Sequence, residues 1–105
     1  MDPNNGNDVI ATRRLMLLDD PSHEIVVLMG RPMKTIGVEE YSCSVQITGL
    51  GDQRLSRIYG VDSFQAIQLT LRFIGSRLSA LNAEAGGRLR WEGDEGGGFG
   101  FSSVE

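Results

Sequence analysis

The sequence predicts an α+β fold: an antiparallel sheet of four to six strands with one long helix packed on one face, in the order ββββα followed by a short C-terminal hairpin. Three observations lead there. From Glu40 to Thr48, polar and apolar residues alternate strictly, the period of a strand with one buried and one wet face. From Phe64 to Leu81, apolar residues recur at steps of three and four, the period of an amphipathic helix. The segments before that helix are joined by turns too short for the crossover that parallel strands need.

Taken in order, residues 1–8, "MDPNNGND", read as a disordered, acidic N-terminal segment, 9–102 as a single domain and 103–105 as a tail. "VIATRRLMLLD" is rich in strand formers. "DDPS", Asp19 to Ser22, is a turn sequence in which proline fixes its own φ and the aspartates bond neighbouring backbone. A second strand follows from His23 to about Met29; its centre, "EIVVLM", is apolar on both faces, as in a strand covered from both sides or buried in a dimer. "GRPMKTIG" is expected to be a loop. In the third strand Tyr41, Cys43, Val45 and Ile47 face one way, and Ser42, Ser44, Gln46 and Thr48 the other. "GLGD" is a tight connection to a weaker strand, Arg54 to Tyr59.

The helix is expected from Ser63 to about Asn82, roughly 30 Å long. Phe64, Ile67, Leu71, Ile74, Leu78 and Leu81 form its apolar stripe, with Gly86 or Gly87 supplying the left-handed residue that ends it. The expected core joins these six to Leu15, Leu17, Ile25, Val27, Val45 and Ile47. Strands around Leu89 to Glu92 and at Phe99 to Phe101, joined by a glycine-rich acidic loop, complete the hairpin.

Composition narrows the function. A chain of 105 residues has room for one modest core, and its net charge of −4 argues against a nucleic-acid partner. No apolar run approaches the roughly 20 residues needed to cross a bilayer, so no membrane partner is expected. The N-terminus lacks a signal peptide's basic start and apolar middle, and the single cysteine, Cys43, suits a reducing compartment, which makes the cytoplasm the expected location.

One motif asks for a decision. "GVDSFQAIQL", from Gly60, is similar to the phosphopantetheine attachment motif of acyl and peptidyl carrier domains, and carried over it would make Ser63 the modified residue. Carrier domains, however, are bundles of four helices, whereas strands precede this motif and a glycine-rich segment follows it. Capping explains the same letters: Asp62 is suited to accept a bond from the amide of residue 64 or 65 as N-cap, and Gln65 to bond back to the amide of Asp62. The carrier resemblance is therefore judged coincidental.

Other chemistry-bearing residues have simple structural readings. Cys43 shares the apolar face of its strand and reads as an inert buried thiol, and His23, the only histidine, as a solvated strand-start residue. Glu92, Asp94 and Glu95 lack the spacing of a calcium loop, so neither a metal nor a cofactor is expected. Trp91, flanked by Arg90 and Glu92, is the candidate interaction surface, because tryptophan and arginine most often anchor interfaces.

Taken together, "ATRRL", "VQITGLGD", "GVDSFQAIQLTLRFIG" and "LNAEAGGRLRWEG" resemble a family of small uncharacterised bacterial proteins classed as a domain of unknown function. The resemblance implies a bacterial, single-domain α+β protein and brings no catalytic residues. The expected role is a non-enzymatic protein-interaction module of the inhibitor or immunity type, acting as a homodimer and binding another protein. The rival reading is an enzyme or small-ligand binder with a pocket between helix and sheet lined by Tyr41, Tyr59 and Trp91.

Overall fold

The computed structural model describes residues 8–91 and 98–101 of the chain. Its strands are β1 (Val9–Leu17), β2 (Asp20–Gly30), β3 (Met33–Lys34), β4 (Tyr41–Thr48), β5 (Ser56–Gly60) and β6 (Leu89–Trp91), with one helix, α1 (Ser63–Glu84), between β5 and β6. All pairings are antiparallel: β1 with β2 and β6, and β4 with β2, β3 and β5. The chain thus runs as a meander from β1 to β5, crosses one face of the sheet as α1, and adds β6 outside β1. The predicted fold class is the observed one.

Two boundaries differ from the sequence reading. The first turn is shorter than "DDPS": Leu17 already pairs with Asp20, so β2 begins before Pro21. Proline is tolerated there because β4 joins β2 only from Val26 onward, leaving the other side of that stretch without a ladder partner. The expected "GRPMKTIG" loop contains β3, which continues β2 along β4. Met29 pairs with Val45 and Met33 with Ser42, four steps against three, so one extra residue is accommodated as a bulge around Arg31.

The core lies between the sheet and α1. Leu15, Leu17, Ile25, Val27, Val45 and Ile47 are buried as predicted, and Ile74, Leu78 and Leu81 meet them from the helix. Leu89 and Phe99, absent from the predicted core, are buried too. The N-terminal half of the stripe is a correction: Phe64 is 77% exposed and Leu71 37%, while Ala66 and Thr70 are buried. The cause is close approach. A Cβ on Gly60 would stand 2.5 Å from the Ala66 nitrogen and 2.9 Å from its Cα, so β5 touches the helix backbone there. Only small side chains fit that crossing, and α1 rolls Phe64 outward to present them. Thr70 hides its polarity by donating its hydroxyl to the Ala66 carbonyl at 2.6 Å.

Both helix ends follow sequence signals. Asp62 has extended backbone and its Oδ1 accepts from the Gln65 amide at 2.8 Å. Gln65 does reach back, but to the amide of Val61 at 2.8 Å rather than that of Asp62, one residue earlier than a regular capping box. At the other end Gly86, at φ 71°, donates to the Ala83 carbonyl and Gly87 to that of Asn82, the paired bonds of a Schellman motif.

The predicted hairpin partner at Phe99–Phe101 is not a strand. That segment is held instead by Arg13, whose guanidinium lies 3.9 Å from the Trp91 ring centroid and 4.8 Å from that of Phe101, and donates to the Phe99 carbonyl at 2.9 Å. The expected disordered N-terminus and C-terminal tail lie outside the described residues, except Asp8, whose carbonyl accepts from the Arg31 amide at 2.9 Å.

Two stability changes follow. Gly60→Ala forces a methyl into helix backbone that cannot move aside, and should cost about 2 kcal/mol or more in urea unfolding, since overpacking against backbone is poorly relieved. Asp62→Ala removes one cap bond and should cost about 1 kcal/mol in the same measurement.

Candidate functional site

α1 covers one face of the sheet; among the described residues the other face is left open, and its side chains come from the alternate positions of each strand. At its centre Val26 and Leu28 are half-buried. Their cross-strand neighbours are polar or charged: Arg14 and Thr48 beside Val26, Thr12 and Gln46 beside Leu28. The aliphatic stem of Arg14, whose guanidinium pairs with Glu24, can lie along the apolar centre while its head stays in water. The strand "EIVVLM" thus has one side under α1 and polar or charged neighbours beside Val26 and Leu28 on the other.

A shallow depression of about 570 Å³ occupies one end of this face. Ser42 and Ser44, side by side on the open face of β4, form its floor. Arg57 and Tyr59 rise from β5 on one side, while Arg31 and Met33 rise on the other. Short side chains between two rows of long ones make a groove along β4, with walls two strand spacings apart, roughly 10 Å. Its lining carries Arg31, Lys34 and Arg57 against a single acid, Asp8, within a chain of net charge −4. Asp8 lies 3.6 Å from Arg31, and Glu39 lies 3.4 Å from Lys34. Arg57 has no ion-pair partner among the described residues. At the rim, Ile36 is 98% exposed, and Met33 and Tyr59 are each exposed by nearly half.

A second depression, of about 320 Å³, lies on the helix side, lined by Phe73 and by Asp52, Arg54 and Arg77. Here the charges answer one another. Asp52 accepts from the Arg54 amide at 3.1 Å and from its guanidinium at 2.9 Å, with Arg77 at 3.6 Å. Those Arg54 bonds hold the Asp52 carboxyl below its usual range.

The residues singled out in the sequence are dispersed. Tyr59 stands on the open face, Tyr41 on the helix-covered face, and Trp91 on β6 at the opposite edge of the sheet, so the expected aromatic pocket does not form. Arg90 and Trp91, adjacent on a strand, point to opposite faces. Arg90 donates to the Gly87 and Leu89 carbonyls and Trp91 stacks on Arg13, while Glu92 lies outside the described residues. His23 and Cys43 are about eight strand positions apart by register, roughly 25 Å, too far to act as base and nucleophile. The His23 Nε2 instead lies 2.6 Å from the Gly49 carbonyl. Ser63 opens a helix laid on a sheet, not one of a four-helix bundle. Among the described residues no cluster of histidine, cysteine and carboxylate groups is arranged to hold a metal, and no helix is long and apolar enough to cross a membrane.

Residues 11–103 match the family described as "Domain of unknown function (DUF6968)". The chain belongs to that family. The DUF6968 span takes in the helix, nearly all of the sheet and the whole depression apart from Asp8. No curated protein and no solved structure matches the chain.

The groove residues Arg31, Lys34 and Arg57 carry no signal in the sequence, because they lie on two separate segments that meet only through the pairing of β3 and β5 with β4. The alternation in "YSCSVQIT" is the one signal for the groove floor.

Cys43 is fully buried, and burial pushes its thiol up, an effect partly offset by its hydrogen bond with Thr70. A folded-state pKa above the unfolded one favours the folded chain at neutral pH, and that advantage is lost as pH rises past the ordinary thiol value of 9.0. The protein should therefore lose stability above that pH more steeply than Cys43→Val does in parallel urea titrations. Iodoacetamide should label the native chain only as fast as it opens.

Proposed function

We propose that this DUF6968 protein is a non-enzymatic protein-interaction module that meets its partner with the open face of its sheet. The observation that carries the reading is the groove along β4 beside a fully solvated isoleucine. An isoleucine 98% exposed at a hairpin tip gains nothing from folding, and with Met33 and Tyr59 it gives the groove an apolar rim of the kind that partners bury. A sheet face bordered by an edge strand, β5, also offers a partner both side-chain and backbone contacts.

The charges refine the expectation. An isologous homodimer through this face would bring two copies of the same cation-lined groove into one interface, which like-charge repulsion opposes. The face is wettable as it stands, so the apolar strand that suggested a second copy does not call for one. The inhibitor or immunity subtype rests on overall acidity and size, and the groove adds the opposite sign at the contact itself. A different protein is the partner this reading favours.

Site-specific photo-crosslinking in the native host tests it. A photo-reactive residue at position 36 or 59 should capture the same discrete protein, and one at position 80, on the solvent side of α1, should not. Equal capture at all three positions, or none at 36 and 59 together with saturable thermal stabilisation by a single metabolite, would contradict the reading.

A further inference from the structure

We propose that the groove along β4 takes an acidic, extended segment of the partner protein, with carboxylates on Arg57 and Arg31 and apolar side chains against Met33 and Ile36. This rests on the interaction-module reading and adds the chemistry of the partner to it. The groove runs along a strand: its floor is two serines of β4, and the long side chains beside it stand on strands roughly 10 Å apart, a shape that suits one extended chain.

Its charge is the second argument. Three cations face one carboxylate in the lining, although the chain as a whole carries −4. Among the described residues most cations are answered within the chain: in the groove Arg31 by Asp8 and Lys34 by Glu39, elsewhere Arg14 by Glu24, Arg54 and Arg77 by Asp52, and Arg88 by Asp19. Arg57 is not, and it rises from an edge strand directly over the groove floor. A guanidinium there is placed to bind a carboxylate through two parallel bonds. The hydroxyls of Ser42, Ser44 and Tyr59 add donors along the same line. Alternating carboxylate and apolar side chains on an extended segment would meet these donors and the apolar rim in turn.

The test uses the full chain and a fluorescein-labelled peptide of about twelve residues alternating Glu and Val, with two control peptides in which every Glu is Gln or Lys. Fluorescence anisotropy should show saturable binding of the Glu peptide alone, weakened at least about threefold between about 50 and 300 mM salt. Arg57→Glu should weaken binding at least about tenfold with the far-UV spectrum and melting temperature unchanged, while Arg72→Glu, the same charge change at an exposed helix position, should alter it less than about twofold. Equal loss in the two variants would mean a response to net charge only and would overturn the site. Equal binding of the Gln peptide, or no binding of the Glu peptide, would overturn the acidic chemistry. In either case crosslinking from positions 36 and 59 could still succeed, so the module reading stands or falls separately.

Discussion

A single helix can cover only one face of a sheet, and in this protein it does so by pressing its backbone against β5 at Gly60. That contact places a glycine on the strand opposite Ala66 on the helix, with Thr70 one turn further along. Everything larger is displaced from the crossing: Ile74, Leu78 and Leu81 fill the wider gap toward the far end of α1, and Phe64 is turned to solvent. The core is therefore tapered. Small residues set the angle at one end, and branched ones supply most of the buried apolar area at the other, at about 25 cal/mol per Å² removed from water.

The same constraint shapes the other face. With α1 on one face, the other is left open among the described residues, and the sequence places a polar or charged residue opposite Val26 and Leu28 across the strands. Val26 sits between Arg14 and Thr48, and Leu28 between Thr12 and Gln46. At the β3 end the arrangement is different in kind: serines on β4, long side chains on either side, and the bulge around Arg31 that turns Met33 to the open side. A bulge beside a groove is a usual device for re-aiming side chains at a site. Here it brings residues from three segments around one floor.

Legibility in the sequence followed the range of the interaction. The strand β4, the span of α1, the Asp62 cap and the glycine that ends the helix were all readable, because each rests on contacts within a few residues. The buried line of α1 follows the apolar stripe from Ile74 onward and departs from it before, where Phe64 and Leu71 are exposed and Ile67 is half-buried. Periodicity weighs apolar character, while the crossing at Gly60 selects for size, a property of the strand the helix meets. β3 and the seating of Phe99–Phe101 were illegible for a similar reason: one depends on a one-residue bulge, the other on Arg13, some 86 positions earlier in the chain. The groove is the extreme case. Its cations look unremarkable in sequence, and only the register of β3 and β5 on β4 makes neighbours of them.

Among the described residues, one face of this sheet is packed under the helix and the other stands open. This arrangement is tested most directly by methyl NMR with a soluble gadolinium chelate. Strong paramagnetic broadening of Val26, Leu28 and Ile36 is expected, with little at Val27, Ile47, Ile74 and Leu78, at every protein concentration. Protection of Val26 and Leu28 equal to that of Val27 in the isolated protein would show the face already covered, and would contradict it.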